Sequence, residues 1–154
     1  MDHPYLKEEH ELFRKSFKKF LEKEAYPYYE QWEYDRIVPR SFWEKLGEGG
    51  FLCPDLPEIY GGSGTDWGFS VVLNEELEKV GSSLIGVALH NDIVVPYISA
   101  YGTDEQKQRW LPKCTTGEYI TAIAMTEPDA GSDLASISSK AIWNGQHYVL
   151  NGQK

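Results

Sequence analysis

Apolar residues recur along most of this chain at helical spacing, which predicts helix over about three quarters of its length and strand near its end. Over residues 7–25, Leu12, Phe13, Phe17, Phe20 and Leu21 fall on one stripe, while Lys15, Lys18, Lys19 and Glu22 lie off it. Pro27 ends the run. Tyr28 to Pro39 is rich in Tyr and Trp but has no period. Ser41 and Glu44 have the spacing of a capping box for a second helix, with Phe42, Trp43 and Leu46 on its apolar side and Gly47, Gly49 and Gly50 as its stop. The Pro- and Gly-dense run FLCPDLPEIYGGSGTD reads as a loop. Asp66 is a suitable N-cap for a third helix over 67–80, carrying Phe69, Val72, Leu73, Leu77 and Val80, with Gly81 at its end. Residues 83–101 are apolar nearly all round (Leu84, Ile85, Val87, Leu89, Ile93, Val94, Val95), as a buried central helix would be. Pro96 must kink or interrupt it. Thr103 and Gln106 repeat the capping-box pattern for a short helix ending at Pro112.

From Glu118 the period changes. Tyr119 to Met125 (YITAIAM) has the β-branched content of a strand. Asn144-Gly145 sits between Ala141-Ile142-Trp143 and His147-Tyr148-Val149, a strong hairpin signal. The expected fold class is therefore mainly α: a helical domain over 1–118, then the first strands of an incomplete β domain over 119–154.

Composition narrows the chemistry. The chain has 154 residues and a formal net charge of -9, which excludes the broad basic face needed for nucleic acid. Hydrophobic residues make up 41%, enough for a real core. Cys53 and Cys114 lack CxxC spacing and an adjacent His, so two buried free thiols are expected rather than zinc or a disulfide. MDHPYLKEEHELF has no apolar core of a signal peptide and is too acidic for a transit peptide. No apolar run approaches the ~20 residues of a membrane span.

The stretch from Tyr119 to Asp133 carries the chemistry. A strand would run into a loop holding Thr126, Pro128, Gly131 and Ser132. Ile123 or Met125 could wall the flat face of a flavin ring, and the Thr126 hydroxyl could match the donors and acceptors of its edge. Gly131 allows close backbone approach, with the Ser132 hydroxyl beside it. From these residues alone, a ligand site and an ordinary turn both remain open. Other features read as structural. Gly61-Gly62-Ser63-Gly64 lacks the spacing of a phosphate loop. His90 has no partner for a metal site or triad and reads as a core or channel-lining residue. Glu127 beside Pro128 reads as a turn or cap carboxylate. Tyr26, Tyr28, Tyr29, Trp32 and Tyr34 read as core and interface packing.

The run AMTEPDAGSDLASI closely resembles the signature of the acyl-CoA dehydrogenase family. YGTDEQKQRWLPK and a Gly-Glu-Tyr step precede it, HYVLNGQK follows it, and PEIYGGSGTD lies upstream, so the resemblance covers essentially the whole chain in order and spacing. Asp129 stands where the family usually has Gly, a departure that bears on loop conformation. The resemblance implies a helical N-terminal domain, a middle β domain and a C-terminal helical bundle, with FAD between the last two. A carboxylate in the bundle removes the α-proton of an acyl-CoA, and hydride passes from the β-carbon to flavin N5, leaving the trans-2-enoyl-CoA.

Carried onto this chain, the resemblance makes Ile123, Met125, Thr126, Gly131 and Ser132 the cofactor-binding set. Met125 and Thr126 would touch the ring, and Ser132 would also reach the CoA part of the substrate. Leu89, His90 and Val94 would wall the acyl channel. The catalytic base is expected beyond Lys154, and no metal is implied. Implied partners are the acyl-CoA substrate, electron-transferring flavoprotein as acceptor, and further copies of the chain in a dimer or tetramer. The implied setting is fatty-acid β-oxidation, in a bacterial cytoplasm or a mitochondrial matrix. An oxidase or flavin monooxygenase of the same fold, or a non-catalytic helical interaction domain, are the alternatives.

Overall fold

The computed structural model describes residues 4–81 and 84–154; residues 1–3, 82 and 83, and the side chain of Ile85, lie outside it. Two compact units divide the chain, Met1–Ala122 and Ile123–Lys154. The first is helical. Helix α1 (Glu8–Glu24) buries His10, Phe17 and Leu21, whereas Leu12, expected on that stripe, is 59% exposed. His10 holds the inward position one turn before Phe13 and Phe17. Its Nδ1 accepts the Lys7 N–H at 2.9 Å, so Nε2 carries the proton and donates to Asp66 Oδ1 at 2.8 Å. Asp66 in turn accepts the Gly68 N–H at 2.9 Å, capping α4 (Trp67–Val80) as expected. Glu9 lies close to this pair, but His10 has no ring nitrogen left to offer a metal. Further along, Arg14 reaches the buried Glu76 at 2.9 Å, tying α1 to α4.

Helix α2 (Tyr29–Asp35) forms where no period was visible. Only Trp32 is buried in it, so its seven residues leave no repeat to read. Trp32 packs on Phe42 at 4.9 Å, while Tyr26, Tyr28 and Tyr34 are exposed. Helix α3 (Arg40–Glu48) buries Phe42, Trp43 and Leu46, but Pro39 stands at its N-cap and no side chain caps it. Ser41 and Glu44 therefore sit inside the helix, and the expected capping box is absent; with proline's fixed φ at the N-cap, the helix starts two positions earlier. Gly47 and Gly117 are required by close approach, since a Cβ on the first would strike the Thr116 backbone and one on the second the Trp43 backbone. The loop from Phe51 to Asp66 contributes Phe51, Leu52, Cys53 and Leu56 to the core, with a 3-10 turn at Glu58–Tyr60. The rings of Phe17 and Phe20 pack at a tilt against Phe51, with centroids 4.7 and 5.1 Å away.

The apolar run near residue 90 is helical but not uniform. Helix α5 (Ile85–Ala88) passes into a π-helical segment, Leu89–Val94, and then into α6 (Val95–Tyr101). The Val95 N–H bonds to the His90 carbonyl, five residues back. Pro96 supplies the reason: it has no N–H, and its ring would press on the carbonyl four residues back, so the helix widens there instead of breaking. Val87 and Val95 are buried, Leu89 and Val94 half-buried and Ile93 exposed, so the segment is not buried all round. Helix α7 (Asp104–Thr115) begins with the expected capping box, in which the Thr103 N–H donates to Gln106 Oε1 at 2.8 Å and the Gln106 N–H to Thr103 Oγ1 at 3.2 Å. It does not end at Pro112 but runs through it to Thr115. A proline near the last turn removes one main-chain bond only, and the Thr115 hydroxyl donates to the Pro112 carbonyl at 2.9 Å. Both Cys53 and Cys114 are free and buried. Burial pushes the Cys114 thiol up to about 11, and the Cys53 thiol higher still.

The second unit is small. Strands β1 (Lys140–Trp143) and β2 (Tyr148–Asn151) form an antiparallel hairpin with Trp143 opposite Tyr148. Its turn spans Asn144 to His147, with Asn144 Oδ1 accepting the N–H groups of Gln146 and His147 and Gly145 at a φ of 99°. Every residue of both strands is exposed. Residues 119–125, expected as a strand, have no ladder partner among the described residues. β-Branched content favours the extended backbone, but only a neighbouring strand makes a ladder.

Candidate functional site

The signature TEPDAGSD folds into a tight loop held by one carboxylate. The Glu127 N–H donates to the Ala130 carbonyl at 2.8 Å, and the Ala130 N–H returns a bond of 3.2 Å. Pro128 and Asp129 fill the turn between them. Asp129 adopts no left-handed backbone, so its place in the turn carries no strain. The Glu127 side chain points inward. It accepts from the Ser138 N–H at 2.8 Å, the Ser138 hydroxyl at 2.9 Å and the Ser139 N–H at 3.1 Å, and pairs with Lys154 Nζ at 3.0 Å. The Ser139 and Ser138 donors, with Lys154, hold this carboxyl far below the usual carboxylate range. Glu127 is thus the post of the loop, in keeping with its reading as a turn carboxylate. Lys154 Nζ also donates to the Met125 carbonyl at 3.0 Å. Just after the loop, Asp133 Oδ1 accepts the Ala135 N–H and starts a 3-10 turn at Leu134–Ser136.

On this frame the expected cofactor residues face outward. Met125, Thr126, Gly131 and Ser132 are exposed and Ile123 is half-buried. Among the described residues, the backbone N–H groups from Ile123 to Thr126 make no main-chain bond. A Cβ at Gly131 would meet nothing within 4 Å. Among the described residues, the segment offers unbonded backbone N–H groups, two exposed hydroxyl side chains and apolar side chains, which is what a flat heterocycle with donors and acceptors along one edge requires. The residues fit a flavin.

In the helical unit, Leu89 and Val94 are half-buried, and His90 is fully buried. The Thr121 N–H donates to His90 Nδ1 at 3.2 Å, with the Thr121 hydroxyl 2.9 Å away. Nε2 therefore carries the proton and donates to the Cys114 carbonyl at 3.2 Å. Burial lowers the pKa of this ring, so it stays neutral. Its neighbour Asn91 donates to the Phe51 carbonyl at 3.0 Å and accepts the Cys53 N–H at 2.9 Å. Asp92 accepts from Asn74 at 2.7 Å. A cavity of about 340 Å³ opens beside these partners of His90, bordered by Arg40, Ile98, Trp110, Cys114, Tyr119 and Thr121; Leu89, His90 and Val94 do not line it. Sequence reasoning missed Asn91, Thr121, Ser138, Ser139 and Lys154. Of these only Asn91 gave a signal, as an amide in an otherwise apolar run.

Helices around an aromatic core, followed by an exposed signature loop, define a class, and comparison with known proteins agrees. Residues 7–118 match the family profile "Acyl-CoA dehydrogenase, N-terminal domain". The chain belongs to the acyl-CoA dehydrogenase family. It is 44% identical to the mitochondrial long-chain specific acyl-CoA dehydrogenase of Rattus norvegicus, over 95% of this chain and 34% of that protein. A crystal structure of an acyl-CoA dehydrogenase from Geobacillus kaustophilus superposes with a TM-score of 0.92 at 67% identity, covering 97% of this chain and 39% of the other. A crystal structure of an acyl-CoA dehydrogenase complexed with FAD, from Bacillus anthracis, superposes with a TM-score of 0.85 at 35% identity, covering 96% of this chain and 26% of the other. The chain thus spans roughly a third of the length of these relatives. No helix among the described residues is long and apolar enough to cross a membrane.

Proposed function

We propose that this chain is the N-terminal part of an FAD-dependent enzyme that converts an acyl-CoA thioester to its trans-2-enoyl-CoA. The observation that carries the reading is the segment Ile123–Ser132, in which, among the described residues, the N–H groups of Ile123 to Thr126 make no main-chain bond and Thr126 and Ser132 are exposed beside a loop that Glu127 holds shut. FAD, when bound, supplies the hydride acceptor. Ile123 and Met125 give the ring an apolar wall and exclude water from one face. Thr126 offers its hydroxyl to the ring edge, Gly131 lets the backbone come close, and Ser132 serves both the cofactor and the CoA part of the substrate. Leu89 and Val94, with the His90 turn behind them, belong to the wall of the acyl channel. Glu127 is not the base: its oxygens are occupied by donors and turned inward. The carboxylate that takes the α-proton belongs to a C-terminal bundle, following the helical domain over 1–118 and a β domain begun over 119–154. Electron-transferring flavoprotein is the acceptor, and the full-length protein assembles as a dimer or tetramer.

The test is the full-length protein. It is expected to purify yellow, to lose its flavin absorbance on anaerobic addition of an acyl-CoA, and to regain it faster with electron-transferring flavoprotein than with oxygen. Protein that stays colourless after incubation with FAD, or flavin that no acyl-CoA bleaches, would rule the reading out.

A further inference from the structure

The π-helical segment turns three consecutive polar side chains toward three different neighbours. His90 reaches Cys114 and Thr121, Asn91 the Phe51 and Cys53 backbone, and Asp92 the side chain of Asn74. Held on three sides, this turn is a fixed post. Trp43 braces the imidazole edge-on at 5.6 Å. What it holds is the chain that leads into the signature. Among the described residues, the main-chain N–H groups bonded between Tyr119 and Thr126 are those of Tyr119, to the Lys113 carbonyl at 2.9 Å, and Thr121, to His90. Ile123 and Met125 alternate with Ala122 and Ala124, so a slip of one residue along this stretch would put alanines where the larger side chains stand. A flavin wall built from this segment needs its register fixed, and among the described residues no ladder does so.

We propose that His90 is a positioning residue: by clasping Thr121, it sets the register in which the chain enters Ile123–Ser132 and thereby the retention of flavin there. The inference rests on the flavin reading above. A neutral imidazole suits the task because it accepts from Thr121 and donates to Cys114 at once, and a glutamine amide can reproduce that pair of roles.

The experiment compares His90→Leu, His90→Gln and Thr121→Pro in the full-length protein by FAD titration, flavin absorption spectrum and amide exchange at residue 121. His90→Leu is expected to lose protection of the Thr121 amide, to shift the flavin spectrum and to bind FAD about tenfold more weakly, the scale of one buried hydrogen bond. His90→Gln should restore all three to within about twofold. Thr121→Pro, which removes the N–H donor, should match His90→Leu and stands in for it if that variant does not fold. A variant that loses the clasp yet keeps wild-type FAD affinity and spectrum overturns the inference, as does His90→Gln binding no better than His90→Leu while Thr121 stays protected. Wild-type protein that binds no FAD overturns the functional reading and His90's role with it, whereas Thr121 protection in the 154-residue chain reports the clasp separately.

Discussion

Replacing Asn91 by leucine isolates the polar fastening of the core. The two side chains branch alike and leucine is the bulkier, so the change removes hydrogen bonds without opening a cavity. It strands two buried groups, the Phe51 carbonyl and the Cys53 N–H, which Asn91 satisfies at 3.0 and 2.9 Å. Each orphaned group costs about 1–3 kcal/mol, so the direct loss is about 2–6 kcal/mol. Cys53 is held at a φ of 49°, a conformation that costs a non-glycine residue about 1–2 kcal/mol. Release of that strain returns part of the loss, leaving about 1–4 kcal/mol. Against a total stability of about 5–15 kcal/mol this is large. At about 2–4 °C per kcal/mol, the melting temperature should fall by roughly 2–16 °C. Denaturant unfolding of the chain, followed by tryptophan fluorescence and far-UV circular dichroism, measures it, with the midpoint moving and the slope unchanged. A loss below about 0.5 kcal/mol would show that water or a rearranged loop satisfies both groups, and would refute the reasoning. Combining Asn91→Leu with Cys53→Gly checks the strain component, since the pair should lose less than the sum of the single changes.

Glu127→Gln should speed amide exchange at Ser138 and Ser139, because the charge that gathers their N–H groups is gone; wild-type protection in the variant would mean that something else closes the loop. In the full-length protein, Thr126→Val should weaken FAD retention more than Ser132→Ala, with about 1–3 kcal/mol at stake for one buried bond, and equal flavin content after dialysis would count against the assignment. His90 also predicts a pH dependence. Burial puts its folded pKa below the ordinary 6.5, so the unfolded chain binds the extra proton first. Its contribution is full above about pH 6.5 and shrinks as the pH falls from there toward the folded value. Denaturation midpoints of wild type and His90→Gln should diverge in that window, and parallel profiles would argue that the ring does not titrate on unfolding.

Local rules carried much of the fold. The stripe Phe13, Phe17 and Leu21, the Asp66 cap, the Thr103–Gln106 box and the Asn144-Gly145 turn all depend on residues within a few positions of one another, and each appears in the structure. Those rules failed where a distant or covalent constraint outweighed them. Pro39 displaced the Ser41 box, Pro112 sat harmlessly in the last turn of α7, and α2 formed with one buried residue too few to leave a period.

The candidate site divides along the same line. The signature itself, from Met125 to Asp133, was legible because its residue types and order are local. Its supports were not. The partners of Glu127 lie 11, 12 and 27 residues on, at Ser138, Ser139 and Lys154, and Thr121 lies 31 residues from His90. A serine or threonine in an exposed segment carries no mark of the carboxylate or imidazole that it will meet. Periodicity reports which side of an element faces the core. Which polar groups meet inside that core is decided by loop closure and by the requirement that every buried donor and acceptor find a partner, and only the tertiary structure satisfies that for the whole chain at once.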